Sequence, residues 1–239
     1  MTLLTALYIV GITAEAMTGA LAAGRERMDL FGVIMIACVT AIGGGSVRDM
    51  LLGHYPLTWV AHPEYLVLLA VTAILTVSIA PLMRYFRTVF LWLDALGLIV
   101  FTILGAQVAM SMGYGVVIAC TAGIITGVFG GVLRDLLCSR IPLIFRKELY
   151  ASVSLLAALL YVGLVALDVP EIWTVLVTVA VGFTARILAI HFELGLPVFD
   201  YQEIEHRPRS ARRPPWRRRA RREPDRTRRG PDPAPPDED

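Results

Sequence analysis

The chain has 239 residues, 56% of them hydrophobic, with a mean hydropathy of +0.65 and a formal net charge of +2. A soluble domain carries roughly 45–50% apolar residues, and here the excess falls in runs long enough to cross a bilayer. That excludes an ordinary soluble domain and indicates an integral membrane protein. The charge is unevenly placed: residues 200–239 hold 12 arginines and 9 acids, and the rest of the chain is nearly neutral.

Seven apolar runs follow in order, at 2–23, 30–52, 65–83, 89–112, 115–138, 149–167 and 172–190. Met1-Thr2-Leu3-Leu4 lacks a basic leader, so the first run reads as a span rather than a signal peptide. Cys38, Cys120 and Cys138 are odd in number and lack metal-ligand spacing, so they read as small hydrophobes. Basic residues alternate between loops. Arg25 and Arg27, Arg84 and Arg87, and Arg140, Arg146 and Lys147 mark one side, while loops 53–64, 113–114 and 168–171 carry none. By the positive-inside rule the N-terminus lies outside and the C-terminus inside. Beyond Asp200 the composition is arginine, proline and acid, which predicts a disordered tail. Such a tail serves as a topology anchor or binds anionic lipid headgroups.

One motif occurs twice. Gly43-Gly44-Gly45-Ser46-Val47-Arg48-Asp49, then Pro56, is answered by Gly130-Gly131-Val132-Leu133-Arg134-Asp135, then Pro142. A constant offset of 86 relates them, and it also takes Gly11 to Gly97, Gly19 to Gly105 and Thr40 to Thr126. The chain is therefore duplicated internally. A unit of three spans, repeated directly, enters the membrane with opposite polarity the second time. The expected architecture is an all-α membrane protein of seven transmembrane helices: two inverted three-helix repeats, a seventh helix and the basic disordered tail. The corresponding segments are 1–88, 89–168, 169–199 and 200–239.

Glycine weakens helices, and glycine runs in a span predict breaks whose freed carbonyls line a water-filled path. Gly43, Gly44, Gly45, Gly130 and Gly131 are the candidate kinks; close helix packing is the plainer reading. Arg48, Asp49, Arg134 and Asp135 are charges inside spans, which marks functional candidates. Neighbours on a helix point about 100° apart, so neither arginine needs its adjacent aspartate. Each arginine is expected to meet polar groups in its own leaflet, either structurally, by snorkelling and an intramembrane ion pair, or as one of a pair of gates or ion-attracting vestibules, one at each mouth. Glu15 lies mid-span with no acidic counterpart, Phe101 standing in its place, and is either a cation or proton ligand or a protonated structural residue. Asp94 falls in the first turn of the fourth run, where a helix dipole favours an acid. Arg186 reads as a snorkelling anchor. His54, His62 and His191 form no recognisable set. No catalytic triad, metal site or phosphate loop is present, so neither an enzyme, a cofactor nor a nucleic-acid partner is expected.

Ala20-Leu21-Ala22-Ala23 through Met28-Asp29-Leu30-Phe31-Gly32-Val33, together with the doubled glycine-Arg-Asp motif, resembles the bacterial family of duplicated glycine-transporter-type domains. That family is similar to the trimeric intracellular cation (TRIC) channels. The resemblance runs from residue 5 to about 195. It implies seven transmembrane helices, a homotrimer, one pore per subunit between kinked spans two and five, and conduction of monovalent cations, chiefly potassium. Some members are described as glycine transporters. Ala14-Glu15-Ala16-Met17 departs from the commoner pattern of small and hydroxylated residues, which bears on the transported species. Three functions follow as expectations: a cation channel, a carrier of a small zwitterion such as glycine, and a non-transporting membrane scaffold.

Overall fold

The computed structural model describes residues 3–80, 86–145 and 149–195. The predicted tail from Asp200 onward lies outside the described residues. Eight α-helices are described: α1 (Leu3–Arg25), α2 (Leu30–Leu52), α3 (Thr58–Ala61), α4 (Glu64–Ile79), α5 (Phe86–Ser111), α6 (Val116–Leu137), α7 (Tyr150–Ala166) and α8 (Glu171–His191). Helices α1, α2, α5, α6 and α8 are long and apolar enough to cross a membrane. Helices α4 and α7 are apolar but shorter, at 16 and 17 residues. The short helix α3 sits in a stretch expected to be plain loop.

The duplication is written in the backbone. An offset of 86 carries α2 onto 116–138 and α4 onto 150–165, within one residue of α6 and α7. It also pairs four of the six left-handed turn residues among the described residues. Arg27 (φ 54°) answers Gly113 (φ 83°), and Gly53 (φ 69°) answers Ser139 (φ 55°). Each pair closes the same kind of helix end. The amide of His54 bonds the carbonyl of Asp49 at 2.9 Å, and the amide of Arg140 bonds that of Asp135 at 2.8 Å. Identical turns fix identical exit directions for each copy.

Small residues set the spacing. Lipid supplies no hydrophobic drive between helices, so close van der Waals approach must hold them. Two clusters of buried residues result. One contains Ala16, Ala20, Ala23, Ala37 and Ala41; the other contains Ala106, Ala109, Ala119, Ala122 and Ala157. Large apolar residues such as Phe31, Val67, Trp92 and Val117 point outward.

The expected breaks at Gly43–Gly45 and Gly130–Gly131 are absent: α2 and α6 run unbroken through them. Glycine costs a helix about 1 kcal/mol, which tertiary packing readily offsets. The space left by two of these glycines is used instead. A Cβ on Gly44 would collide with the Thr126 carbonyl, and one on Gly130 with the Thr40 carbonyl. Each threonine hydroxyl donates back to its own helix at 2.6 Å, Thr40 to the Ile36 carbonyl and Thr126 to the Ala122 carbonyl. Those hydroxyls fill the space above Gly19 of α1 and Gly105 of α5. Each threonine is thus clamped between two glycines, in the same way in both copies.

The opposing atom at Gly44 and at Gly130 is backbone, which cannot rotate away. Gly44→Ala and Gly130→Ala should therefore each destabilise the protein by about 1–3 kcal/mol, despite alanine's better helix propensity. Melting in detergent should fall for both and to a similar degree; a rise in either would contradict the tight crossing.

Candidate functional site: two arginine centres and their cavities

Arg48 and Arg134 occupy equivalent positions, one helical turn beyond Gly44 and Gly130. Both are buried, and each bonds the aspartate next to it, although helical geometry does not require it. Arg48 donates to Asp49 Oδ1 from Nε at 2.9 Å and from Nη2 at 2.7 Å. Arg134 donates from Nε to Asp135 Oδ1 at 2.9 Å. The reason is side-chain length: the arginine stem folds along the helix surface and brings its fork to the neighbouring carboxylate.

Beyond that shared bond the centres diverge. Arg134 is fully buried and gathers groups from several helices. Its Nη1 donates to Asp94 Oδ1 of α5 at 2.8 Å and to Thr18 Oγ1 of α1 at 3.1 Å. Glu15 Oε2 lies 3.9 Å from the same nitrogen and accepts from Thr18 Oγ1 at 3.0 Å. The guanidinium also stacks on Phe90, 4.7 Å from its centroid. Asp135 Oδ2 accepts from the Leu143 amide at 3.1 Å, which ties the cluster to the 3-10 turn Leu143–Phe145.

Asp94 is therefore not a first-turn acid stabilised by a dipole. Helix α5 begins by Phe86, so Asp94 lies in its interior and is a direct partner of Arg134. Nor does Arg186 snorkel. It is fully buried and stacks on Tyr150, 4.7 Å from the ring centroid. Phe90 and Tyr150 give these cations aromatic faces, an attraction that strengthens when water is excluded.

Around Arg48 the equivalent positions are apolar or aromatic. Tyr8 stands for Asp94, Phe101 for Glu15 and Leu104 for Thr18. These three line a cavity of about 80 Å³ together with Arg48, Asp49 and Trp59. Trp59, on α3, donates from Nε1 to Ser46 Oγ at 3.1 Å and so holds α3 against α2. His54 Nδ1 lies 3.0 Å from Asp49 Oδ1. At the opposite end of α1 and α5 a wider cavity of about 450 Å³ is lined by Arg25, Arg87, Phe90, Asp135, Arg140 and Glu193, among others. Arg140 is paired there with Glu26.

Sequence reasoning missed Thr18, Tyr150, Tyr8 and Trp59. The repeat offset carried a signal for Tyr8, since it is the mate of Asp94. Nothing local marked Trp59. Among the described residues, no group of three or more His, Cys, Asp or Glu could hold a metal ion.

The sequence profile of the family described as glycine transporter matches this chain twice, over residues 5–81 and 91–166. The chain is 40% identical over 202 residues to the UPF0126 inner membrane protein YadS of Escherichia coli K12, covering 82% of this chain and 96% of that protein. Among solved structures it matches the TRIC trimeric intracellular cation channel orthologue from Rhodobacter sphaeroides. That match has a TM-score of 0.78 at 36% identity, over 81% of this chain and 100% of the other. The chain is a member of the TRIC family. A second TRIC cation channel structure matches with a TM-score of 0.71 at 33% identity, over 84% of this chain and 100% of that one. These TRIC neighbours are channels and not enzymes. The doubled profile match falls on the two copies that the turn residues and arginine centres reveal in this TRIC protein.

Removing one partner of a buried ion pair typically costs about 3–5 kcal/mol, whereas an exposed pair is worth under about 1 kcal/mol. Asp94→Ala should therefore lower stability several-fold more than His54→Ala, whose side chain is 40% exposed. Chemical denaturation of both variants in detergent tests this. Equal losses would mean that Asp94 does not anchor Arg134.

Proposed function

We propose that this TRIC protein is a multi-pass bacterial inner-membrane channel that conducts monovalent cations, chiefly potassium, along α2 and α6 within each subunit of a homotrimer. The observation that carries this reading is the pair of cavities at opposite ends of the bundle, separated by the glycine crossing of α2 and α6. Charged residues stand in both cavities: Arg48 and Asp49 in one, and Asp135 and Glu193 with Arg25, Arg87 and Arg140 in the other. The family's solved members, named as cation channels, support it.

The glycines act differently from a broken helix. Separating α2 from α6 at Gly44 and Gly130 would uncover the Thr126 and Thr40 carbonyls that now face them. Carbonyl oxygens can replace part of a cation's hydration shell. The barrier is then the crossing itself, and Gly43, Gly45 and Gly131 keep the neighbouring surface small.

The same reading assigns seven spans, with α4 and α7 as the short ones, and inverted repeats at 1–88 and 89–168, followed by a seventh span at 169–199. The N-terminus lies outside, and the segment 200–239 lies inside as a basic tail that anchors the topology or binds anionic headgroups. Impermeant labelling of cysteines placed at Ser111 and Ser210, in a background without the native cysteines, tests this orientation. Ser111 should label from outside in intact cells and Ser210 should not; the reverse pattern would overturn it.

A second reading has one specific observation in its favour. The cavity of about 80 Å³ beside Arg48 and Asp49 suits a zwitterion no larger than glycine, its carboxylate facing the guanidinium. Purified protein in potassium-loaded liposomes separates the alternatives. Discrete single-channel currents are expected. Saturable glycine flux without such currents would establish the carrier instead, and neither activity would leave a membrane scaffold.

A further inference from the structure

Glu15 is the residue that most sharply separates the two copies. Its socket exists in both. Gly97 leaves room for the Glu15 carboxylate, which a Cβ there would overlap, and Gly11, its mate, leaves room for the Phe101 ring. The fold therefore accepts an apolar side chain in this socket, and a carboxylate is not needed to fill it.

Charge and hydrogen bonding around Glu15 are both incomplete. Oε1 of Glu15 and Oδ2 of Asp94 are buried and have no hydrogen-bond donor, and neither Arg134 Nη2 nor Tyr150 Oη of the same cluster reaches them or any other partner. Both residues are 1% exposed. The charged and titratable groups around this site are Asp94 on α5, Arg134 and Asp135 on α6, Tyr150 on α7 and Arg186 on α8. Glu15, Asp94 and Asp135 thus converge on the buried Arg134, with Arg186 stacked beyond on Tyr150, and only Asp135 also borders the cavity that holds Arg25, Arg87 and Arg140, so the buried pair of Glu15 and Asp94 carries one negative charge in excess. Two carboxylates sharing a site do not both ionise readily, and an uncompensated buried charge is strongly unfavourable. One proton corrects both deficits: it cancels the excess charge and supplies the missing donor to one of the two oxygens.

We propose that Glu15 and Asp94 form a proton-binding site, sharing one proton at neutral pH on the carboxyl of Glu15 and exchanging it with the cavity lined by Asp135. Asp135 bonds the same guanidinium as Asp94 and lines that cavity. Loss of the proton leaves the cluster one negative charge in excess. The inference stands whatever species the protein transports.

Infrared spectroscopy of the full-length protein in lipid tests it directly. A carboxylic-acid C=O band should be present at neutral pH, shift on transfer to heavy water, and shift again when glutamate alone carries ¹³C at its side-chain carboxyl. The described glutamates other than Glu15 are exposed, and the difference between the wild-type and Glu15→Gln spectra assigns the band to Glu15. Glu15→Gln should abolish the band and retain wild-type melting at neutral pH. Its melting temperature should also fall less than that of the wild type as the pH is made alkaline. Absence of the band from the wild type would overturn the proposal. So would a band that responds to labelled aspartate and not to labelled glutamate. The wild-type labelling experiment decides the matter even if the variant fails to fold.

Discussion

The contact of α2 with α6 at Gly44 and Gly130 governs the rest of the structure. Two helices meet there with backbone against backbone, each glycine lying under a threonine carbonyl of the other helix. Any side chain at either position would push the helices apart. Because lipid supplies little drive for association, such an approach must be held by contacts on the outer faces of both helices. Helix α1 presses Gly19 against Thr40, and α5 presses Gly105 against Thr126, so each threonine is fixed from both sides. The four helices form one unit whose spacing is set by glycine and threonine.

On this symmetric frame the charges are asymmetric. Arg48 and Arg134 start from the same place and make the same bond to the next aspartate. What surrounds them was free to change, because the frame does not depend on it. Glu15, Thr18 and Asp94 enclose Arg134, whereas Phe101, Leu104 and Tyr8 leave a cavity beside Arg48. Burying a guanidinium is costly unless it is paired and hydrogen-bonded. The chain meets that cost at one end with several carboxylates and at the other with a single aspartate joined by His54.

Much of this was legible from the residues. The apolar runs located every long helix among the described residues, since a span of about 20 apolar residues has few alternatives. Offset matching exposed the duplication and flagged Thr40 and Thr126 beside Gly44 and Gly130. The use of the glycines was misjudged because helix propensity is local, while the Gly44–Thr126 approach joins residues 82 positions apart. Asp94 was misjudged because α5 continues through Arg87 and Thr88, polar residues that end an apolar run without ending a helix. The neighbours of Arg134 were invisible for a related reason: Thr18 and Asp94 lie 116 and 40 residues away, on helices whose rotation no local pattern reports.

The spacing from glycine to arginine has a mechanical consequence. Gly44 and Arg48, like Gly130 and Arg134, are four residues apart and so share a helix face. Anything that parts α2 from α6 at the glycines must also move the arginine one turn away. Moving α6 pulls Arg134 from Asp94 on α5 and from Thr18 on α1, breaking charge-assisted bonds at a fully buried guanidinium. Moving α2 carries Arg48 and Asp49 together, because their bond lies within one helix. The link from Trp59 to Ser46 is a single neutral hydrogen bond, and His54 follows directly in the chain and can travel with α2. Although the crossing is symmetric in its atoms, its freedom to open is not: α6 is fixed to the bundle by charge, and α2 is the helix that can yield.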